Sequence, residues 1–392
     1  MMFSPKNKSI LPECKTSAPH AVATYRVDKK KHGPEIFEEI AIGQTLGAWD
    51  ERVVDPALLR DLVAKVMTCS ESETHWTADI AFPWPLWQGE LSWLLTLIFG
   101  KMSFYAGCTL ADLRFEEGCF ESPLLRGPCH TLSALRESVG VSEQRPLLMG
   151  ILKPNVAMSD DTLADLYAEV AHAGLNLVKD DEIRHDASFE TTLRRVEKVA
   201  ARKQKENLKT LYVLHAPINA AAQQNLQNWS RQLENAGADA LLLNVWTAGL
   251  STLQALRSVS KIPIVAHPAL AGALGHGNVD DSVQPEVLLA SMLRAAGADL
   301  TLFPSPYGKI GLPLATAQRI KERCSEKWSA GILPTIPVPS AGIKPEHVER
   351  ACHDFGKDFI LNAGTAIFAS GQSVAQAAGT FIQSLEACHR AQ

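Results

Sequence analysis

The chain has 392 residues, of which 46% are hydrophobic, 21% charged and 7% aromatic. That composition excludes a disordered, collagen-like or long coiled-coil protein, and at ~100–200 residues per domain the length predicts two domains. With 38 Lys and Arg against 43 Asp and Glu, a formal charge of −5 and no basic block, nucleic acid is not an expected partner.

Residues 1–20 mix Lys, Pro, Ser and Asn without periodicity, which predicts a disordered N-terminus. Residues 21–138 read as a smaller α+β domain of ferredoxin-like type. Its strand is expected at Val22–Val27, its helices at Gly33–Gly43 and Pro56–Met67, and a long apolar element at Leu91–Lys101. The Pro/Gly/Cys stretch 118–130 is its expected exit. Leu91–Gly100 is interrupted by Ser92 and Thr96 and is about half of the ~20 residues needed to cross a bilayer, so no membrane span is predicted. Eight cysteines without a CxxC pair, and no secretory leader, predict reduced thiols and a cytoplasmic protein.

From Leu147 onward, short apolar runs recur with helix-period segments between them. The runs are 147–154, 175–181, 210–216, 240–246, 263–269, 299–305, 335–342 and 359–365. Their starts lie 23 to 36 residues apart, room for one strand, one loop and one helix per unit. Ser159 followed by Asp160 and Asp161 marks a helix start and Gly174 its stop, and Val283–Gly297 and Pro345–Gly356 repeat the pattern. The runs are continuously apolar, as in a parallel sheet buried on both faces. Eight βα units predict a (β/α)8 TIM barrel over 139–392. The rival, an open doubly wound sheet, lacks a GxGxxG after its first strand.

In such a barrel, reacting groups sit at the carboxyl ends of the strands. Polar residues gather there: Lys153 and Asn155, Lys179 to Glu182, His215, Asn244, His267, Ser305 with Lys309, Ser340 to Gly342, and Asn362 to Thr365. Lys179 and Asp181 share one face by the two-residue period, and Glu182 can turn toward them. Converging carboxylates repel unless a cation intervenes, and hard oxygen ligands suit Mg2+. An ammonium would be repelled there, whereas a CO2-derived carbamate on Lys179 would be a third anionic ligand. The other reading pairs Lys179 with Asp181 and leaves Glu182 to cap the next helix. Ser340-Ala341-Gly342 and Ala363-Gly364-Thr365 occupy the usual phosphate-binding place, or are ordinary tight turns. His267, at a strand end before Pro268, reads either as a site residue or as a core histidine.

From about Ala21 to Gln376 the chain resembles the form IV RuBisCO family, the RuBisCO-like proteins. Leu177-Val178-Lys179-Asp180-Asp181-Glu182 is similar to its metal motif, which implies Mg2+ held by carbamylated Lys179, Asp181 and Glu182. Gly150-Ile151-Leu152-Lys153, Ala266-His267-Pro268-Ala269 and Phe303-Pro304-Ser305-Pro306-Tyr307-Gly308 are further matches. Pro339-Ser340-Ala341-Gly342-Ile343 and Asn362-Ala363-Gly364 match the phosphate loops, which implies phosphate binding by Ser340, Ala341, Gly342, Gly364 and Thr365, although Thr365-Ala366 departs from the usual glycine pair. Phe99-Gly100-Lys101 carries the lysine that enolase-type relatives use as base.

Asn155 and Pro268 stand where carboxylating RuBisCO has a lysine and an arginine that holds a second phosphate. The resemblance therefore implies a ketose-like substrate with one phosphate and no CO2 fixation. It is strongest to the methionine-salvage branch, whose members enolise 2,3-diketo-5-methylthiopentyl 1-phosphate. The alternatives are an isomerase of 5-methylthioribulose 1-phosphate, a decarboxylase of a 3-oxo sugar-acid phosphate, and a non-catalytic binding protein. For Lys101 to act as base, its pKa must fall by several units from ~10.4; Lys153 is the competing base. The resemblance also implies a homodimer or higher oligomer, in which the small domain of one subunit closes over the barrel mouth of its partner.

Overall fold

In the computed structural model, residues 18–47, 55, 59, 61–141, 145–184, 188–275, 282–328 and 331–390 are described. The expected disordered N-terminus lies almost wholly outside them. The chain divides into two compact units, residues 1–125 with 271–292, and residues 126–270 with 293–392.

The first unit is built on an antiparallel sheet of β1 (His20–Asp28), β2 (Lys65–Glu71), β3 (His75–Pro83) and β4 (Cys108–Phe115), in the order β2-β3-β1-β4. Strict alternation along β1 buries Ala21, Ala23, Tyr25 and Val27 on one face, the period-2 signature of a sheet covered on one side. The helix Leu91–Phe99 buries Leu91, Leu94, Ile98 and Phe99, one stripe at helical spacing. The fully buried Tyr25 donates its hydroxyl to the Ile98 carbonyl, so helix and sheet are joined by a bond that leaves no orphan polar group.

The helix expected at Pro56–Met67 is corrected in its second half, because Lys65–Glu71 is an exposed strand at the edge of the sheet. Leu58, Leu59, Leu62 and Val63 have helical spacing and run into Val66 and Met67 with no stop residue between, so periodicity alone could not place the break. Pro56, Ala57, Leu58 and Arg60 lie outside the described residues. The pattern at Val283–Gly297 also starts differently. Val283 bridges Leu110 of β4, flanked by Leu110 N–H to Ser282 O (3.0 Å) and Gln284 N–H to Leu110 O (2.9 Å), and helical turns follow at Val287–Ser291 and Met292–Ala295.

The second unit is a closed barrel of eight parallel strands. They are β5 (Leu147–Ile151), β6 (Leu177–Lys179), β7 (Leu211–His215), β8 (Ala240–Asn244), β9 (Ile264–His267), β10 (Leu300–Pro304), β11 (Ile336–Ser340) and β12 (Ile360–Ala363). β12 pairs with β5 to complete the ring. All eight expected strands are present. The helices after β5 and β6 begin at side-chain caps: Ser159 accepts from Thr162 N–H (3.1 Å) and Ser188 from Thr191 N–H (3.3 Å), each worth about 1 kcal/mol.

The barrel interior is filled by the alternate residues of every strand. Leu147 and Met149, Leu177, Leu211 and Val213, Ala240 and Leu242, Val265, Leu300 and Leu302, Ile336 and Val338, and Ile360 form one buried cluster. Helix Leu132–Val139 packs Leu135 into the same cluster, so the chain joins the barrel unit before residue 139. No helix of the described residues is long and apolar enough to cross a membrane.

Candidate active site

The two-residue period that fills the barrel also decides which residues crown it. One step beyond the interior leucines, valines and methionine, the inward positions are Ile151, Lys179, His215, Asn244, His267, Pro304, Ser340 and Asn362. An apolar core thus ends in a layer with six polar members at the carboxyl ends of its strands, where βα-barrels do their chemistry.

Lys179 is the last residue of β6 and only 1% exposed. Its Nζ donates to the Asp180 carbonyl (2.8 Å) and lies 3.8 Å from Glu182 Oε2. Burial lowers its pKa, against the pull of the neighbouring carboxylates. Lys153 Nζ donates to Asp181 Oδ2 (2.8 Å), and His267 Nε2 lies 3.4 Å from Glu182 Oε2. Asp181 is raised by burial and by hydrogen bonding to Glu182. For Glu182 burial acts upward too, but the bond to Asp181 and the Lys179 ammonium outweigh it and leave it lowered. The shared surroundings thus move the two carboxylates in opposite directions, Asp181 toward its protonated form and Glu182 toward its charged one.

His267 Nδ1 accepts the Ala269 N–H (3.2 Å), which leaves the proton of the neutral ring on Nε2, facing Glu182. Burial, with the Lys179 charge next, lowers His267 to about 3, and burial lowers His215 to about 4. Both rings stay neutral in the folded chain, while the unfolded chain takes up protons below about 6.5. Their contribution to stability is therefore full above that pH and is lost as pH falls, down to about 4 for His215 and about 3 for His267. Each should cost about 1.4 kcal/mol per pH unit near pH 5. Thermal melts between about pH 7 and about pH 5 should show a falling midpoint, and His215→Asn should flatten the slope; an equal slope in that variant would contradict the assignment.

Asp180 behaves differently from its neighbours. It points away from the interior into the layer between strands and helices. There it accepts from the Tyr212 hydroxyl (2.9 Å) and the His215 N–H (3.1 Å) and pairs with Arg195 (3.5 Å).

The loops after β10, β11 and β12 are tied into one rim. Asn362 Nδ2 donates to Ser340 Oγ (2.8 Å), and Ser305 Oγ to the Ala341 carbonyl (2.7 Å). Ala341 and Gly342 are both left-handed, with φ of 67° and 70°. A Cβ on Gly342 would lie 2.2 Å from Gly308 Cα, and one on Gly364 would lie 3.3 Å from Lys153 Cε. Gly364 thus brings the β12 loop beside Lys153, and Thr365 opens the short helix Thr365–Phe368. Gly342→Ala is expected to force the two loops apart and cost about 1–3 kcal/mol. Denaturant midpoints would show the loss. Gly379→Ala, on a helix with open space at the Cβ, is the control, expected to be neutral or stabilising.

The structure therefore brings together Lys153, Lys179, Asp181, Glu182 and His267, with Ser340, Ala341, Gly342, Gly364 and Thr365 along the adjoining rim. Lys101 belongs to the other unit. It follows helix Leu91–Phe99, donates Nζ to the Gly43 carbonyl (3.1 Å), and lines an open cleft of about 680 Å3 with Gln44, Gly47, Phe104 and Tyr105. Arg195, Tyr212 and Asp160 also support the site from behind, and no motif in the sequence marks them for it. Arg195 is 2% exposed beside Arg194 at 58%, and nothing in a helix so rich in Lys and Arg marks one arginine as buried.

A closed (β/α)8 barrel that follows a small antiparallel sheet in sequence, with Lys-Asp-Asp-Glu ending its second strand, is the arrangement of a RuBisCO-type large chain. Residues 132–311 match the family described as "Ribulose bisphosphate carboxylase large chain, catalytic domain". The chain is 36% identical over 359 residues to the 2,3-diketo-5-methylthiopentyl-1-phosphate enolase of Bacillus velezensis, covering 88% of this chain and 87% of that one. It is 33% identical over 371 residues to the protein of the same name from Microcystis aeruginosa, covering 93% and 92%. The crystal structure of a rubisco-like protein (MtnW) from Alicyclobacillus acidocaldarius superposes with a TM-score of 0.82 at 29% identity, covering 95% of this chain and 94% of that one. The chain belongs to the RuBisCO-like family.

Proposed function

We propose that the chain is a Mg2+-dependent enolase of 2,3-diketo-5-methylthiopentyl 1-phosphate in methionine salvage, working without CO2 fixation. The observation that carries this reading is the buried Lys179 beside the Asp181–Glu182 pair at the barrel mouth. Among the described residues no three His, Cys, Asp or Glu side chains form a metal-binding group. Two carboxylates need a further hard donor, and a carbamate on Lys179 supplies it. Carbamate formation requires a neutral amine, and burial of Lys179 favours that form. The donor set of carbamylated Lys179, Asp181 and Glu182 then suits Mg2+.

Bound there, Mg2+ would polarise the substrate's carbonyl oxygens. Neutral Lys101 removes the proton from the carbon beside the ketone and becomes an ammonium, and the oxygen takes a proton from solvent to complete the enol. Lys153, beside Asp181 and Gly364, sets the position of the oxygens. Neutral His267 donates from Nε2 at the Glu182 side of the site. Backbone N–H groups of the rim formed by Ser340, Ala341, Gly342, Gly364 and Thr365 take the single phosphate. The chain acts as a homodimer in which Lys101 comes from the partner's small domain, and as a cytoplasmic enzyme. Seven described cysteines are free thiols, which supports a reducing compartment.

Incubation of the purified protein with the diketone phosphate, Mg2+ and bicarbonate tests the reading. Enol formation is expected; no turnover of this substrate, with turnover of 5-methylthioribulose 1-phosphate instead, would replace it with the isomerase.

A further inference from the structure

We infer that Asn155, itself held by Arg195, is a positioning residue that fixes the backbone presenting Asp181 and Glu182, an inference that rests on the metal-centre reading above. Strand pairing by β6 ends at Lys179, so residues 180–182 need other anchors. Arg195 NH1 donates to Asn155 Oδ1 (2.7 Å) and reaches Asp180 Oδ1 (3.5 Å), while its Nε donates to Asp160 Oδ1 (3.1 Å). Asn155 Nδ2 in turn donates to the Asp181 carbonyl (3.2 Å).

The orientation of the Asn155 amide is settled by its partners. A guanidinium can only donate and a backbone carbonyl can only accept, so the oxygen must face Arg195 and the nitrogen must face Asp181. Asn155 and Arg195 are both buried, and an unmade bond in such a place is costly. Asp180 anchors the same segment from its other side through Tyr212, the His215 N–H and its own N–H to the Val213 carbonyl (3.0 Å). The two carboxylates that face the mouth are thus aimed by a carboxylate that faces away from it. Groups behind metal ligands that orient them in this way typically change metal affinity or activity 10–100-fold when removed.

Two variants separate this role from simple packing. Asn155→Asp keeps an acceptor for Arg195 but cannot donate to the Asp181 carbonyl, and Asn155→Leu keeps the volume and loses both bonds. Mn2+ binding in the presence of bicarbonate should weaken about 10–100-fold in Asn155→Asp, although an added negative charge alone would tighten a cation. In the metal-free proteins, amide hydrogen exchange over residues 180–184 should quicken about tenfold in both variants, with the remaining barrel strands unchanged. Unchanged exchange over this segment in Asn155→Asp, or Mn2+ binding as tight as in the parent, would overturn the inference. Should the parent protein itself bind no Mn2+, the metal-centre reading fails, and the exchange measurement still decides whether Asn155 holds the segment. If Asn155→Leu does not fold, Asn155→Asp carries both measurements.

Discussion

Replacement of Lys179 by Met is expected to abolish Mg2+ binding and substrate proton exchange together while leaving the fold intact. An amine that is 1% exposed, its pKa lowered by desolvation, gains little by being charged in that place. Met keeps the length and volume of the side chain but can neither carry a carbamate nor donate to the Asp180 carbonyl. The loss of that bond is offset by removal of a desolvated cation, so the thermal midpoint should move by no more than about 5 °C. The catalytic loss should be far larger. A Lewis acid contributes several kcal/mol of transition-state stabilisation, so exchange should fall by about a thousandfold or more, equivalent to about 4 kcal/mol. Calorimetry with Mg2+ and bicarbonate, and deuterium incorporation into substrate, would measure the two effects. Loss of exchange with Mg2+ binding retained would mean that the lysine acts in some other way.

Lys101→Ala is the complementary case. Removing a general base typically costs 10²–10⁴-fold, and nothing in the arrangement of Asp181 and Glu182 depends on residue 101. Exchange should therefore fall by about that factor at unchanged Mg2+ affinity. Lys101→Arg should fail equally, because a guanidinium does not give up its proton in proteins. Lys153 provides the contrast: it pairs with Asp181 and is 36% exposed at the mouth, so Lys153→Ala should disturb metal affinity and exchange at once. Deuterium exchange at full rate in Lys101→Ala would transfer the role of base away from Lys101.

The eight barrel strands were visible as apolar runs because residues buried on both faces leave a continuous signal. The polar crown was visible for the same reason, since Lys179, His267 and Ser340 each end such a run. The edge strand Lys65–Glu71 was not, because helix-spaced leucines lead into it without punctuation. The segment 271–292 follows β9 and reads as an ordinary crossover, yet it belongs to the first unit, where 282–284 pairs with β4; a local pattern does not specify its long-range partner. Arg195 was invisible because its role depends on meeting Asp160 and Asp180, brought to it by the fold from 35 and 15 positions away.

The most direct test is carbon-13 NMR of the protein equilibrated with labelled bicarbonate, with and without Mg2+. A carbamate resonance is expected that Mg2+ strengthens and that is missing from Lys179→Met. Tight Mg2+ binding with no CO2-derived carbon on the protein would contradict the carbamate-held site.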